Sequence, residues 1–130
     1  MAEEFVVQAH SGYGPLHYDL MIQRVTSLAT WQLATPPDQA RSDRALPARR
    51  LADHRLEYLT YQGPVSGGRG SVAIADKGIC QVLSADQSHL LVHLEGSKLH
   101  GVYRLQSTGP LPDQWTFAPS SGEIVPKDRP

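Results

Sequence analysis

Hydrophobic and polar positions alternate in short runs along the chain, and no stretch of a dozen residues keeps a helical period. Phe5-Val6-Val7-Gln8 reads as a strand. From Leu16 to Gln23 the alternation has a period of two residues. Leu16, Tyr18, Leu20 and Ile22 fall on one face, and His17, Asp19, Met21 and Gln23 on the other. Leu28 to Leu33 is a third strand, and Ser71 to Ala75 a fourth. Asp76-Lys77-Gly78 is then expected to turn the chain, with Ile79 to Leu83 returning as a hairpin. Leu90 to Leu94 and Gly101 to Leu105 form another pair around Gly96-Ser97, and Trp115-Thr116-Phe117 is one more short strand. Short helical turns are expected around Pro37 to Arg44 or in Ala52 to Tyr58. This spacing indicates a mainly β domain, an antiparallel barrel or sandwich with short helical turns. Residues 1–120 read as that domain, and 121–130, with Gly122, Pro126 and Pro130, as a loose extension.

Composition narrows the picture. The 130 residues suit one domain with one core, and 40% hydrophobic against 19% charged residues argues against wholesale disorder. Twelve Lys/Arg and thirteen Asp/Glu give a net charge of −1, so a coat on long nucleic acid is disfavoured, while a local patch for a short stretch or an end stays open. Cys80 is the single cysteine, which excludes an intrachain disulfide and a cysteine-based zinc site and suits a reducing compartment. No apolar run approaches the ~20 residues of a membrane span. The opening Met1-Ala2-Glu3-Glu4 is acidic, unlike a secretion signal. A cytoplasmic monomer with no membrane contact is expected.

The candidate chemistry starts at His10 and runs through Gly12, Gly14 and Pro15 to His17-Tyr18-Asp19. Residues two apart on a strand share a face, so His17 and Asp19 project together. A tight reversal at the glycines would bring His10 beside them. Two imidazoles and a carboxylate would hold a divalent metal with open positions; the alternative is a solvated polar face with a loop histidine. Asp53-His54-Arg55-Leu56-Glu57-Tyr58 is a second cluster, whose histidine reads as a general acid, a phosphate ligand or an exposed loop residue. Arg41, Arg44, Arg49, Arg50 and Arg55 put five of the twelve Lys/Arg within fifteen residues, opposed there only by Asp43 and Asp53. Arginine forks suit phosphate, and a solvated loop is the alternative.

These residues together resemble the 3′-phosphoesterase domain of bacterial DNA ligase D and its stand-alone relatives. The resemblance runs from Phe5 to about Leu105. It is carried by Phe5-Val6-Val7-Gln8-Ala9-His10, by Leu16-His17-Tyr18-Asp19-Leu20, by Trp31, by Asp53-His54-Arg55-Leu56-Glu57-Tyr58, by Gly67-Gly68-Arg69-Gly70-Ser71-Val72 and by Leu94-Glu95-Gly96-Ser97-Lys98-Leu99-His100-Gly101. It implies a small antiparallel β barrel with a crescent-shaped groove. It also implies removal of a terminal ribonucleoside and then of the 3′-phosphate from DNA 3′ ends on a primer-template. By resemblance, His10, His17 and Asp19 are the metal ligands, for manganese first and zinc second. His54 contacts the phosphate, Tyr58 supports it, and Arg44, Arg49, Arg50 and Arg55 are candidates for DNA contact. An end-joining ligase or other repair proteins would be its partners.

The chain departs from the family pattern. Six residues rather than five separate His10 from His17. Met21 stands where the family has an arginine, Thr35 where it has a lysine, and Ala52 where it has a glutamate. Met21 shares the face of His17 and Asp19 and is expected to point into the site, so Met21→Arg is expected to raise the rate ~10-fold. The departures keep a second function open: a weakened relative that binds DNA ends or a repair partner without turnover. A third reading, a non-haem iron oxygenase, would use His17, Asp19, His93 and Arg104; the chain is short for it.

Overall fold

The computed structural model describes residues 3–120. Nine antiparallel strands make one sheet: β1 (Glu3–Ser11), β2 (His17–Gln23), β3 (Leu28–Leu33), β4 (Leu46–His54), β5 (Gly63–Pro64), β6 (Ser71–Ala85), β7 (His89–Gly96), β8 (His100–Ser107) and β9 (Gln114–Pro119). The order is β1-β2-β3-β4-β9-β8-β7-β6-β5. β1 also pairs with β6, from Glu3↔Cys80 to Ser11↔Ser71, and closes an eight-stranded barrel with β5 appended. Closure removes the open edges that a sheet otherwise exposes to other chains. The two helical turns, Pro37–Gln39 and Leu56–Leu59, are 3₁₀ and fall where the sequence suggests them. The segment 121–130, read above as a loose extension, lies outside the described residues.

The alternation of β1 and β2 sorts their side chains into two apolar clusters. Phe5, Val7, Leu20 and Ile22 point into the barrel, where they meet Trp31, Val92, Leu94, Leu105 and Phe117. Val6, Met21 and Leu28 point outward and are covered by Tyr58, Leu59 and Ile74. The outer cluster seats the Leu56–Leu59 turn against the outside of β1 and β2. Each fully buried aliphatic or aromatic side chain contributes roughly 1.5–3 kcal/mol, so this turn is fastened by apolar contact as well as by the polar clamp described below.

Two expectations are corrected. Asp76-Lys77-Gly78 is not a turn: β6 runs unbroken through it for 15 residues, pairing first with β1 and then with β7. The buried Asp76 carboxylate instead accepts backbone N–H bonds from Lys77 (2.9 Å), Ser97 (2.7 Å), Lys98 (3.2 Å) and Leu99 (2.9 Å), capping the β7–β8 turn. Gly78 is there because a Cβ would collide with the Glu95 carbonyl of the neighbouring strand. The Asp-x-Gly pattern therefore marks a remote cap and a close backbone approach. The second correction is β4 (Leu46–His54), a strand where the sequence suggests a basic segment and a short helical turn. Its inward positions are Leu46, Ala48 and Arg50, and the inward guanidinium breaks the apolar alternation. The barrel accepts it because Arg50 stacks over Trp31, its guanidinium carbon 4.5 Å from the ring centroid, and reaches Asp53 at 3.3 Å.

Candidate metal centre and groove

The trio forms on the outside of the barrel, where β1 hands over to β2. His10 and His17 sit opposite each other in the ladder, and Asp19 faces Gln8 one step along. Asp19 Oδ2 lies 3.9 Å from His10 Nδ1 and 3.6 Å from His17 Nε2, and the imidazole centroids are 4.7 Å apart. One donor atom from each residue falls within 4.8 Å of the others, the one such cluster of metal-ligand type among the described residues. An ion about 2.1 Å from each ligand holds them roughly 3–3.5 Å apart, so the two distances to Asp19 Oδ2 need only a small contraction. His93, a ligand in the oxygenase reading, is instead 2.9 Å from Glu95 on β7 and belongs to no such cluster.

The ring nitrogens are set by backbone carbonyls. His10 Nε2 is 2.6 Å from the Arg69 carbonyl, and His17 Nδ1 is 3.2 Å from that of Pro15. A carbonyl only accepts, so those nitrogens carry hydrogen and donate. His10 Nδ1 and His17 Nε2 are left facing Asp19 Oδ2. Metal-binding histidines are commonly oriented in this way. His54 repeats it: its Nδ1 donates to the Ala52 carbonyl at 2.9 Å, leaving Nε2 free.

Asp19 is 5% exposed, and its Oδ1 has no hydrogen-bond partner. Burial pushes its carboxyl above the usual range, against the pull of His17, His54 and His10. A buried carboxylate with Oδ1 unpartnered and Oδ2 facing two ring nitrogens is a donor set that a cation completes. The residues present therefore fit a divalent ion.

The support for this arrangement comes from outside the sequence cluster. Gln8, buried between Val6 and His10 on the outer face, donates to the carbonyls of Tyr58 (3.1 Å) and Tyr61 (3.0 Å). This clamp fixes the segment that carries Tyr58, whose ring meets His54 edge-on at 5.8 Å. The Arg69 carbonyl is brought to His10 by Gly70, which has φ +76° and where a Cβ would collide with the Ser11 carbonyl. The Arg69 side chain is tied to Ser66, 2.7 Å from its carbonyl and 3.1 Å from its hydroxyl. Sequence reasoning missed Gln8 and the Arg69 carbonyl as parts of the site. A glutamine inside an apolar strand was the one available signal for Gln8; a backbone carbonyl leaves none.

The arginines separate. Arg49 points outward in a row across the sheet, Gln8↔Asp19↔Gln32↔Arg49↔Gln114, and pairs with Asp113 at 3.5 Å. Arg55 is exposed beside the Tyr58 ring, 5.8 Å from its centroid, and pairs with Glu57 at 3.5 Å. Arg50 turns to the inner side, as described. Arg44 lies in the loop before β4, in a separate depression with Gln39, Arg41 and Asp43. Only Arg49 and Arg55 of the four thus accompany the trio and His54. Met21 shares the face of Asp19, as the alternation requires, yet it is 1% exposed and packed in the outer cluster. It supports the Leu56–Leu59 turn from below and does not reach into an open site.

A family model, the DNA Ligase D 3′-phosphoesterase domain, matches residues 8–107. The chain belongs to this family. It is 32% identical over 119 residues to the multifunctional non-homologous end joining protein LigD of Mycobacterium bovis, covering 85% of this chain and 15% of that protein. The multifunctional non-homologous end joining DNA repair protein LigD of Mycobacterium tuberculosis matches equally, at 32% over 119 residues. The chain thus spans only about 15% of the length of the LigD relatives it matches. The match takes in the trio, His54, Tyr58, the glycine loop and the Asp76 cap within one segment. Among the described residues no helix is long and apolar enough to cross a membrane.

Proposed function

We propose that this LigD-type domain is a metal-dependent phosphoesterase acting on the 3′ ends of DNA in end-joining repair. The observation that carries the reading is the buried Asp19 carboxylate, with Oδ2 3.9 and 3.6 Å from His10 Nδ1 and His17 Nε2 and Oδ1 without a hydrogen-bond partner. His10, His17 and Asp19 would hold a divalent ion, manganese first and zinc second. Such an ion, when bound, polarises a phosphate oxygen and lowers the pKa of a coordinated water.

The chain's own residues supply the rest. His54, with Nδ1 committed to the Ala52 carbonyl, presents Nε2 toward the phosphate; protonated, that nitrogen donates to an oxygen on which charge develops. Tyr58 holds the imidazole edge-on and is itself held by Gln8. Arg55 lies beside Tyr58 and Arg49 beyond Gln32, where each can exchange its carboxylate partner for a phosphate. Partners of the whole reaction would be a primer-template end and an end-joining ligase or other repair proteins, in the cytoplasm, with this domain acting as a monomer.

The test is incubation of purified protein with manganese and a duplex bearing a 3′-phosphate or a single 3′-terminal ribonucleotide. Conversion to a 3′-hydroxyl or 3′-phosphate that His17→Ala abolishes supports the reading. The buried Met21 favours a second reading, a weakened relative that grips ends without turnover, because it leaves no cation beside the trio on β2. Retained end binding with no conversion at high protein concentration would select that one.

A further inference from the structure

Beside the trio, a groove crosses the outside of the barrel with a volume of about 1090 Å³. Its floor is the outer face of β3, β4 and β9, where Gln32, Arg49 and Gln114 continue the row that begins at Gln8 and Asp19. One wall is the β1–β2 loop with Tyr13, Pro15 and Leu16, and the other is the β8–β9 loop with Pro110 and Leu111. His17 belongs both to the trio and to the lining, so the groove opens directly onto the candidate metal centre. Leu16 and Leu111, both in its lining, are 51% and 56% exposed, large apolar side chains open to a ligand.

The chemistry of this groove is wrong for a polyanionic strand and right for a single base and sugar. Arg49 is its one cation, with Asp113 3.5 Å away, whereas a run of backbone phosphates needs several cations. Apolar walls and an aromatic ring at Tyr13 suit the faces of a base, and Gln32, Gln114 and Thr108 suit its polar edge. Arg49 lies two strand spacings from Asp19, roughly 10 Å, so the groove begins at the phosphate position and extends away from it.

We infer that this groove is the subsite for the nucleoside that leaves, the one attached through its 5′ oxygen to the scissile phosphate. The inference rests on the phosphoesterase reading above and adds which side of the phosphate lies in the groove. In the reaction, water adds to phosphorus and the bond from phosphorus to the 5′ oxygen breaks. The 5′ oxygen departs with a proton as the nucleoside hydroxyl, and the phosphate stays on the 3′ end. A substrate ending in a bare 3′-phosphate has nothing to place in the groove. Leu16 and Leu111 are therefore determinants for the diester alone.

Binding separates the two sides of the phosphate without turnover. With manganese present, the titrants are adenosine 5′-monophosphate, adenosine 3′-monophosphate and inorganic phosphate. The fluorescence of Trp115, which lines the groove, is followed. The 5′ isomer mimics the phosphate with its leaving nucleoside, and the 3′ isomer mimics the retained end. The expected result is tighter binding of the 5′ isomer, about tenfold over the other two, and loss of that preference in Leu16→Ser/Leu111→Ser. Equal binding of the two isomers, or a preference that survives the double variant, overturns the assignment. Turnover gives a second measure. The double variant should lose about tenfold in kcat/KM on a 3′-terminal ribonucleotide, and keep the parent rate on a 3′-phosphate. Equal loss on both substrates, or loss on neither, overturns it. Val25→Ser, at an 89% exposed position outside the groove, controls for surface change and should alter neither. A parent inert on both substrates would sink the phosphoesterase reading while the nucleotide titration still decides the subsite.

Discussion

Replacing Asp19 by asparagine should make the metal-free domain more stable and blind to metal. The change is nearly isosteric and removes a charge from a position 5% exposed, where Oδ1 has no partner. A buried polar group left unsatisfied costs about 1–3 kcal/mol, and more when it is charged. An asparagine amide can donate toward His10 Nδ1 and His17 Nε2, the ring nitrogens not committed to backbone carbonyls, which lie 3.9 and 3.6 Å from the present Asp19 Oδ2. A net gain of about 1 kcal/mol follows, or roughly 3–6 °C in Tm for a domain of this size. The parent should instead gain from ligand linkage. Manganese at a hundredfold excess over its Kd stabilises by about 2.7 kcal/mol, roughly 10 °C. The assay is thermal melting at pH 8, where imidazoles are neutral, of parent and Asp19→Asn in chelator and in manganese. The curves should cross: the variant melts higher in chelator and the parent higher in metal. A variant that melts below the parent in chelator would show that Asp19 is not an uncompensated buried charge. One that keeps the metal shift would show that it is not a ligand.

Met21→Arg should not speed catalysis but destabilise the domain by about 3–5 kcal/mol, because it puts an unpaired charge among Val6, Leu28 and Leu59; a denaturant midpoint equal to the parent's would refute the packing. Gly70→Ala should weaken manganese uptake at least tenfold while leaving the barrel folded, since it displaces the loop whose Arg69 carbonyl orients His10; calorimetric titration and far-ultraviolet circular dichroism check both halves. Burial pushes the Cys80 thiol up from its ordinary 9.0 to about 11. The unfolded chain therefore ionises first, and stability should fall between pH 9 and about 11 by at most ~2.7 kcal/mol. Denaturant titrations across that range should show a smaller loss in Cys80→Ala than in the parent, the remainder including the Tyr103 phenol that burial also pushes up.

The strand alternation, the single cysteine and the ordered histidines, aspartate and glycines are local properties, and they were legible without a fold. Period two on Leu16 to Gln23 put His17, Asp19 and Met21 on one face, and the structure has them there. The glycines between His10 and His17 allowed the reversal that the ladder pairing completes. Alternation reports a face but not what covers it. The outward side of β1 and β2 is open at His17 and sealed at Met21, because the Leu56–Leu59 turn arrives from far along the chain. The same limit explains β4, whose inward Arg50 is tolerated only because Trp31 and Trp115 are stacked beneath it. It explains Asp76 too, whose short-range pattern looks like a turn while three of its four backbone partners lie more than twenty residues away. The Arg69 carbonyl at His10, the Gln8 clamp and the groove beside His17 depend on backbone atoms and loops far apart in the chain, which meet only when the barrel closes. A sequence states which side chains are available for chemistry. Closure of the barrel decides which of them share a site, because burial and hydrogen bonding are properties of neighbours that the chain order does not name.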